Sequence, residues 1–184
     1  MSPLSRWKVT ELPLVPSIIH ELVNSPQWEE TDTSSVETTG SGAAFLSQEL
    51  LTKFQSKLGS TLLQGYGSSE SVRVILFAST ILERFTRYKS MQTIAITLTM
   101  QENCIPGYRP VAESVGILVP GLQARIVRGD GTDCGIGETG ELWAKGDCIS
   151  RGYFNDEQAT AQTFTKDGWY KTGDIFTVDE KGNY

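Results

Sequence analysis

Gln64-Gly65-Tyr66-Gly67-Ser68-Ser69-Glu70 is the stretch from which the rest of the chain is best interpreted. Two glycines flank an aromatic ring, and two hydroxyl groups and a carboxylate follow directly. Glycine lets the backbone approach a ligand closely, the ring offers a flat face for a base, and the polar groups can meet phosphate and Mg²⁺. The preceding Ser60-Thr61-Leu62-Leu63 predicts a short buried strand, which places the heptapeptide at a strand end, where open α/β sheets bind ligands. Taken alone, an ordinary glycine-rich turn explains the seven residues equally well.

The residues before the heptapeptide alternate between strand and helix patterns, which predicts an α/β fold. A strand is expected from Val9, a helix capped by Ser17, a second strand over 36–39 and a second helix over 47–58 capped by Ser47. Residues 27–35 are polar and acidic and predict a surface connection.

Only small residues occur in the segment that directly follows the second predicted strand, Gly40-Ser41-Gly42-Ala43-Ala44. They leave room for a flat ligand to lie against the backbone. Tight packing against a neighbouring strand is an equally good explanation of this stretch.

From Gly116 onward, short strands separated by glycine turns predict a β-rich, small barrel-like lobe. A strand framed by glycines is expected over 137–146 and a brief helix over 156–164. Asp174 follows Gly173 and could accept both hydroxyls of a ribose, since a carboxylate carries two acceptor oxygens. A turn carboxylate that satisfies its own backbone is the alternative.

The acidic composition excludes some partners. The net charge is −6, which argues against nucleic acid or an anionic membrane as the main partner. The longest apolar run is far too short to span a bilayer, and no signal peptide is visible. An intracellular, by default cytoplasmic, location is expected, with a peroxisomal one possible for a longer form. The single histidine, His20, is expected to be a structural helix residue.

Four segments in the same order resemble the adenylate-forming superfamily, especially its 4-coumarate–CoA ligase-like and acyl-CoA synthetase members. They are Gly40–Ala44, Gln64–Glu70, Gly140–Leu142 and Tyr170-Lys171-Thr172-Gly173-Asp174. The stretches 8–16 and 152–160 are also similar to that family. The resemblance implies ATP-dependent activation of a carboxylic acid to an acyl-adenylate, followed by transfer to CoA, with Mg²⁺ as cofactor.

The resemblance also assigns roles to individual residues. Ser69 would meet the α-phosphate, Glu70 would hold Mg²⁺, and both are the catalytic candidates. Asp174 would bind the ribose hydroxyls, and Tyr66 would pack on adenine. The complete set of nucleotide-binding candidates is Gly42, Ala43, Ala44, Gln64, Gly65, Tyr66, Gly67 and Asp174.

This sequence departs from the family pattern at two positions. Ser69 stands where the family usually has threonine, which keeps the hydroxyl group. Phe45 stands where proline is usual and puts a large ring beside the expected acyl pocket, so acyl specificity stays open.

Two family elements are not found in the sequence. It contains no Ser/Thr/Gly-rich phosphate loop ending in lysine, and it ends before the position of the family's C-terminal catalytic lysine. We therefore expect a fragment of the large N-terminal domain, divided into an α/β part (1–71), an anomalous insert (72–101) and a β-rich part (102–184).

The insert differs from its flanks in composition. Residues 72–101 contain no Gly, Pro, Asp or Asn, and four basic residues against one acid give them a net charge of +3. Val72 requires a codon that begins with GT and Gln101 permits one that ends with AG, so our hypothesis is an in-frame, unspliced intron. A true insertion forming a helix and a strand is the alternative. A sole cDNA that contains all 90 nucleotides would exclude the intron.

Two further interpretations remain besides the ligase fragment. The chain could be a non-catalytic remnant that binds nucleotide or acts as an interaction module. An adenylation module of a peptide synthetase is disfavoured, because the context of Asp174 is more similar to CoA ligases.

We predict that the 184-residue chain alone catalyses no acid-dependent ATP–pyrophosphate exchange. Each missing cationic or phosphate-cradling element is expected to contribute roughly 10²–10³ in rate. Exchange by the purified chain that depends on added carboxylic acid would contradict this prediction.

Overall fold

The computed structural model describes residues 3–60, 62–71, 99–100, 111, 114–119 and 121–184. These residues form two compact units, 1–65 and 66–184, and each is described by itself. Nearly all of the predicted insert lies outside the described residues, so its origin and the predicted boundaries stay predictions. No helix in the described part of the chain is both long and apolar enough to cross a membrane.

The first unit is built on parallel strands with helical connections, which confirms the predicted α/β class. Strand β1 (Glu11–Leu14) pairs in parallel with β2 (Thr38–Ser41), and β2 pairs in parallel with β3 (Leu62–Tyr66). The helices of this unit are α1 (Pro3–Trp7), α2 (Pro16–Asn24), α3 (Pro26–Glu30) and α4 (Gln48–Lys57). Parallel pairs require such crossovers, because a tight hairpin cannot join them.

Helix starts in this unit follow two different signals. Ser47 caps α4 as predicted, because its hydroxyl accepts a hydrogen bond of 3.3 Å from the backbone N–H of Leu50. The predicted cap of α2 at Ser17 is wrong. The cap is Val15 and the helix starts at Pro16, so both lie two residues earlier than predicted. The fixed φ of Pro16 suits the first helical position, and its missing N–H costs nothing there.

Helix α3 lies where the sequence predicts only a surface connection. It exists because one side chain, Trp28, is 3% exposed and stacks on Phe54 of α4, with ring centroids 5.4 Å apart. Because the sequence neighbours of Trp28 are polar, hydrophobic periodicity does not predict this helix. The same two rings belong to the core of the unit, which comprises Ile19, Trp28, Val36, Leu46, Leu51, Phe54, Leu58 and Leu62.

The second unit is rich in antiparallel β-structure. Strand β7 (Gly140–Gly146) is the centre of a three-stranded sheet, with β6 (Leu122–Val127) and β8 (Tyr170–Phe176) on its two sides. Two short strands, β4 (Thr99–Met100) and β5 (Ile117–Leu118), form a further antiparallel pair. No closed barrel is found among the described residues, so the predicted barrel-like closure stays a prediction.

The glycines that frame β7 allow its neighbours to approach closely. A Cβ added at Gly140 would lie 2.6 Å from the carbonyl oxygen of Val127, and one at Gly146 would lie 2.8 Å from that of Gly121. Both distances are too short for a real side chain, so glycine is required by the packing of backbone against backbone.

A short helix, α5 (Glu157–Thr163), precedes β8 and confirms the predicted helix over 156–164. Its cap is Asp156, whose Oδ1 accepts a hydrogen bond of 2.8 Å from the backbone N–H of Ala159. Between α5 and β8 the chain bends at Gly168, which adopts φ +88°.

We predict that Phe54→Ala lowers the free energy of unfolding by about 3–5 kcal/mol, because it removes a fully buried ring and leaves a cavity. Urea denaturation followed by circular dichroism measures the change. Phe45→Ala is the matched control: its ring is 85% exposed, so the change should stay within about 0.5 kcal/mol. Equal losses for the two variants would contradict the assigned core.

Candidate functional site

The backbone that carries Glu70 is held in a tight turn. The Ser71 hydroxyl donates to the carbonyl oxygen of Ser68 (3.0 Å) and accepts from the Ser68 backbone N–H (3.2 Å). Ser71 is fully buried and forms a β-bridge with Ile149, and the backbone N–H of Ser150 donates to the Glu70 carbonyl oxygen at 2.7 Å. The main chain at Glu70 is therefore anchored on both sides.

Two tyrosine hydroxyls donate to the Glu70 carboxylate, one to each oxygen. Tyr153 reaches Oε1 at 2.6 Å and Tyr170 reaches Oε2 at 3.0 Å. Partial burial raises the pKa of Glu70, but hydrogen bonds from Tyr153, the local backbone, Tyr170 and Ser68 outweigh it, so the pKa lies below its ordinary value. Burial, together with the nearby Glu70 charge, raises the pKa of Tyr170 to about 12. The acid is therefore ionised and both phenols are neutral near pH 7.

Tyr66 connects the heptapeptide to a second carboxylate. Its hydroxyl donates to Oδ2 of Asp174, and its half-buried ring meets Phe176 edge-on with centroids 4.7 Å apart. Burial, and next the hydrogen bond to Asp174, raises the pKa of Tyr66. Because a carboxylate offers about four lone-pair positions, Tyr66 takes only one of those on the exposed Asp174.

An irregularity in β8 sets the direction of Asp174. Gly173 has φ +78°, and its N–H donates to Oε1 of Glu141 at 2.9 Å. The Thr172 hydroxyl donates to the Leu142 carbonyl oxygen at 2.7 Å and accepts from the Asp174 N–H at 3.1 Å. Neighbouring strand β7 therefore holds the backbone on which Asp174 is carried.

Two hydrogen bonds thus join the heptapeptide to β8, and the two segments run in opposite directions between them. Tyr66 donates to Asp174, whereas Glu70, four residues later, accepts from Tyr170, four residues earlier in β8. Tyr66 contacts Asp174 directly and Glu70 contacts Tyr170 of the same strand, while the nucleotide and metal roles of Tyr66, Glu70 and Asp174 stay predictions. Ser69 is exposed in the turn between the two links, beside Glu70.

The candidates in the first unit have a different setting. Gln64 is paired in register with Ser41, and a Cβ added at Gly42 would lie 3.0 Å from the carbonyl oxygen of Gly65. For Gly42, close backbone packing is therefore sufficient to explain the glycine. Ala43 and Ala44 are exposed, and Ala43 adopts φ +70°, a conformation that non-glycine residues rarely take. Their nucleotide role, like that of Gly67, stays a prediction.

The chemistry of Glu70 fits a divalent cation that is shared with phosphate. Mg²⁺ is commonly held by one or two carboxylates together with substrate phosphates and water. Among the residues that the structure describes, no group of three or more His, Cys, Asp or Glu side chains could hold a metal ion. Each Glu70 oxygen accepts one tyrosine hydroxyl. His20 lies on α2, exposed, as expected for a structural helix residue.

The sequence analysis missed Tyr153 and Tyr170 as site residues. Both lie inside segments that carry the family resemblance, 152–160 and 170–174. A phenol in each segment was the available signal, but hydroxyl-bearing aromatic residues are common. Only the fold shows that the two phenols meet one carboxylate 83 and 100 residues away in sequence.

Curated relatives of known type match nearly the whole chain. A probable CoA ligase, CCL5, of Humulus lupulus is 33% identical over 99% of this chain, and the peroxisomal OPC-8:0-CoA ligase 1 of Arabidopsis thaliana is 34% identical over 99%. The chain spans 29% and 30% of the length of these two proteins.

Solved structures agree with the fold. The anthranilate CoA ligase AuaEII in complex with anthranoyl-AMP matches with a TM-score of 0.77 at 22% identity, over 98% of this chain and 30% of that protein. ATP-bound MatB from Rhodopseudomonas palustris matches with a TM-score of 0.73 at 25% identity, over 95% and 30%.

A family model described as AMP-binding enzyme matches residues 2–154, which is most of the chain. The resemblance read from the four ordered segments is thereby confirmed. The chain belongs to the AMP-binding enzyme family.

Proposed function

We propose that this chain supplies the adenosine and metal side of an ATP-dependent carboxylic acid–CoA ligase. The observation that supports it most directly is the double link between the heptapeptide and β8, which sets two carboxylates, Glu70 and Asp174, on one framework. Family membership and the ligase names of the relatives support the same proposal.

The proposed roles follow from the chemistry of each group. Asp174 accepts the two ribose hydroxyls through its remaining lone pairs, and the Tyr66 ring lies against adenine. The exposed Ser69 hydroxyl donates to the α-phosphate. Glu70 holds Mg²⁺, which when bound supplies positive charge against the phosphate oxygens.

None of these side chains acts as a nucleophile in the proposal. Their contribution is to bind and orient the adenylate and to hold charge in place, which suits chemistry that depends on positioning and electrostatics. The acid and CoA are proposed as substrates because the relatives are CoA ligases. Exposed Phe45 stays a candidate for acyl contact.

A second candidate function is nucleotide binding without catalysis. One observation favours it: the polar groups of the site satisfy one another, because three phenols donate to the two carboxylates. The two functions differ in whether the site recognises the acyl part of an acyl-adenylate.

A binding comparison separates the two functions. The probes are AMP and a small panel of 5′-O-(N-acylsulfamoyl)adenosines, which are stable mimics of acyl-adenylates with aryl, cinnamoyl and medium-chain acyl groups. A ligase site should bind at least one mimic tenfold or more tightly than AMP. Equal affinities for AMP and every mimic, measured by calorimetry, would favour the non-catalytic function.

We predict that Asp174→Asn weakens AMP binding about tenfold, because hydrogen bonds to a charged group contribute about 1.5–3 kcal/mol. Isothermal titration calorimetry on the 184-residue chain measures the dissociation constant. Asp147→Asn, a change at an exposed carboxylate in the turn after β7, is the matched control and should leave the constant unchanged. Unaltered AMP affinity in Asp174→Asn would contradict the ribose role.

A further inference from the structure

The two phenols that donate to Glu70 are held in place by elements of their own. Tyr170 is 4% exposed in β8, where its ring packs against Phe164 with centroids 5.5 Å apart. Its hydroxyl position is therefore determined by the core of the second unit. The bond to Oε2 of Glu70 does not depend on a mobile side chain.

Tyr153 is more exposed, at 39%, but its loop is tied to helix α5. The Tyr153 backbone N–H donates to the Thr160 hydroxyl at 2.9 Å. A Cβ added at the preceding Gly152 would lie 2.5 Å from a Thr160 side-chain carbon, so the loop lies directly on that helix. The ring also meets Phe164 edge-on, at a centroid distance of 6.0 Å.

Glu70 is consequently held at three places: its carbonyl oxygen by Ser150, and its two carboxylate oxygens by Tyr153 and Tyr170. A carboxylate on an otherwise free side chain would lose rotamer freedom when it binds a cation. Here the two tyrosine hydroxyls already restrict that freedom. Hydrogen bonds that orient metal ligands commonly change metal affinity by one to two orders of magnitude.

We propose that Tyr153 and Tyr170 are positioning residues, which hold the Glu70 carboxylate in the orientation that a divalent cation requires. This inference rests on the proposed function, in which Glu70 is the metal carboxylate. Neither phenol is assigned a contact with substrate. Their contribution acts through Glu70.

The first experiment measures cation affinity with Mn²⁺ as the probe, by electron paramagnetic resonance on the 184-residue chain with AMP present. Tyr153→Phe and Tyr170→Phe remove only a hydroxyl, and each should weaken Mn²⁺ binding roughly tenfold. AMP affinity without metal should stay unchanged, whereas the thermal midpoint should fall slightly, because each variant loses a hydrogen bond to a charged group. Tyr184→Phe, a half-buried tyrosine of the same unit, is the matched control and should alter none of the three.

A merely structural role gives a different pattern. If the two variants lower metal-free AMP affinity together with Mn²⁺ affinity, the positioning role is overturned. Unchanged Mn²⁺ affinity in both variants, alongside loss of the metal in Glu70→Gln, overturns it as well. In that second case the metal role of Glu70 in the proposed function survives.

The second experiment tests the two contacts without any metal. In chain labelled with ¹³C at the tyrosine Cζ, Glu70→Gln should move the signal of Tyr153 or Tyr170, because a glutamine amide offers one acceptor oxygen where the carboxylate offers two. Two unmoved signals overturn the inference. Moved signals together with unaltered Mn²⁺ affinity in Glu70→Gln support the contacts, overturn their role toward a cation and remove the metal role of Glu70 from the proposed function.

Discussion

Two side-chain hydrogen bonds, from Tyr66 to Asp174 and from Tyr170 to Glu70, connect segments that lie about a hundred residues apart in the chain. The two segments run in opposite directions between these two hydrogen bonds. Because the bonds lie at separate positions, they fix both the register and the rotation of one segment relative to the other. Other contacts support these two hydrogen bonds. The Ser71 hydroxyl stabilises the turn that carries Glu70, and Glu141 of β7 accepts a hydrogen bond from the irregular end of β8. A loop alone would leave the two carboxylates free to move independently.

Much of the fold follows from local signals in the sequence. Ser47 predicts the start of α4, Gly146 predicts the end of β7, and Asp156 predicts the start of α5, whereas β7 begins at Gly140, three residues after the predicted start. These signals act within a few residues, so no knowledge of distant partners is required. Helix α3 could not be predicted, because it is held by contacts between residues far apart in sequence, such as the stacking of Trp28 on Phe54.

The site divides in the same way. The heptapeptide and the segment 170–174 carry recognisable combinations of glycine, hydroxyl and carboxylate groups, so Tyr66, Glu70 and Asp174 could be named beforehand. Tyr153 and Tyr170, which donate hydrogen bonds to Glu70, could not be predicted as site residues, because they lie 83 and 100 residues away from it in sequence. For Gly42 the structure offers a second reason for glycine, the nearby Gly65 carbonyl oxygen, and its nucleotide role stays a prediction.

The glycines at the two ends of β7 extend this point to genetic variation. Any side chain at Gly140 or Gly146 would collide with backbone atoms of the neighbouring chain segment, at less than 3 Å. In a survey of tolerated substitutions, both positions would rank with the most constrained residues of the molecule, although neither is among the residues assigned to nucleotide or cation. Intolerance to substitution at these two sites therefore reflects the close packing of backbone against backbone. A variant there would act by reducing the amount of folded protein.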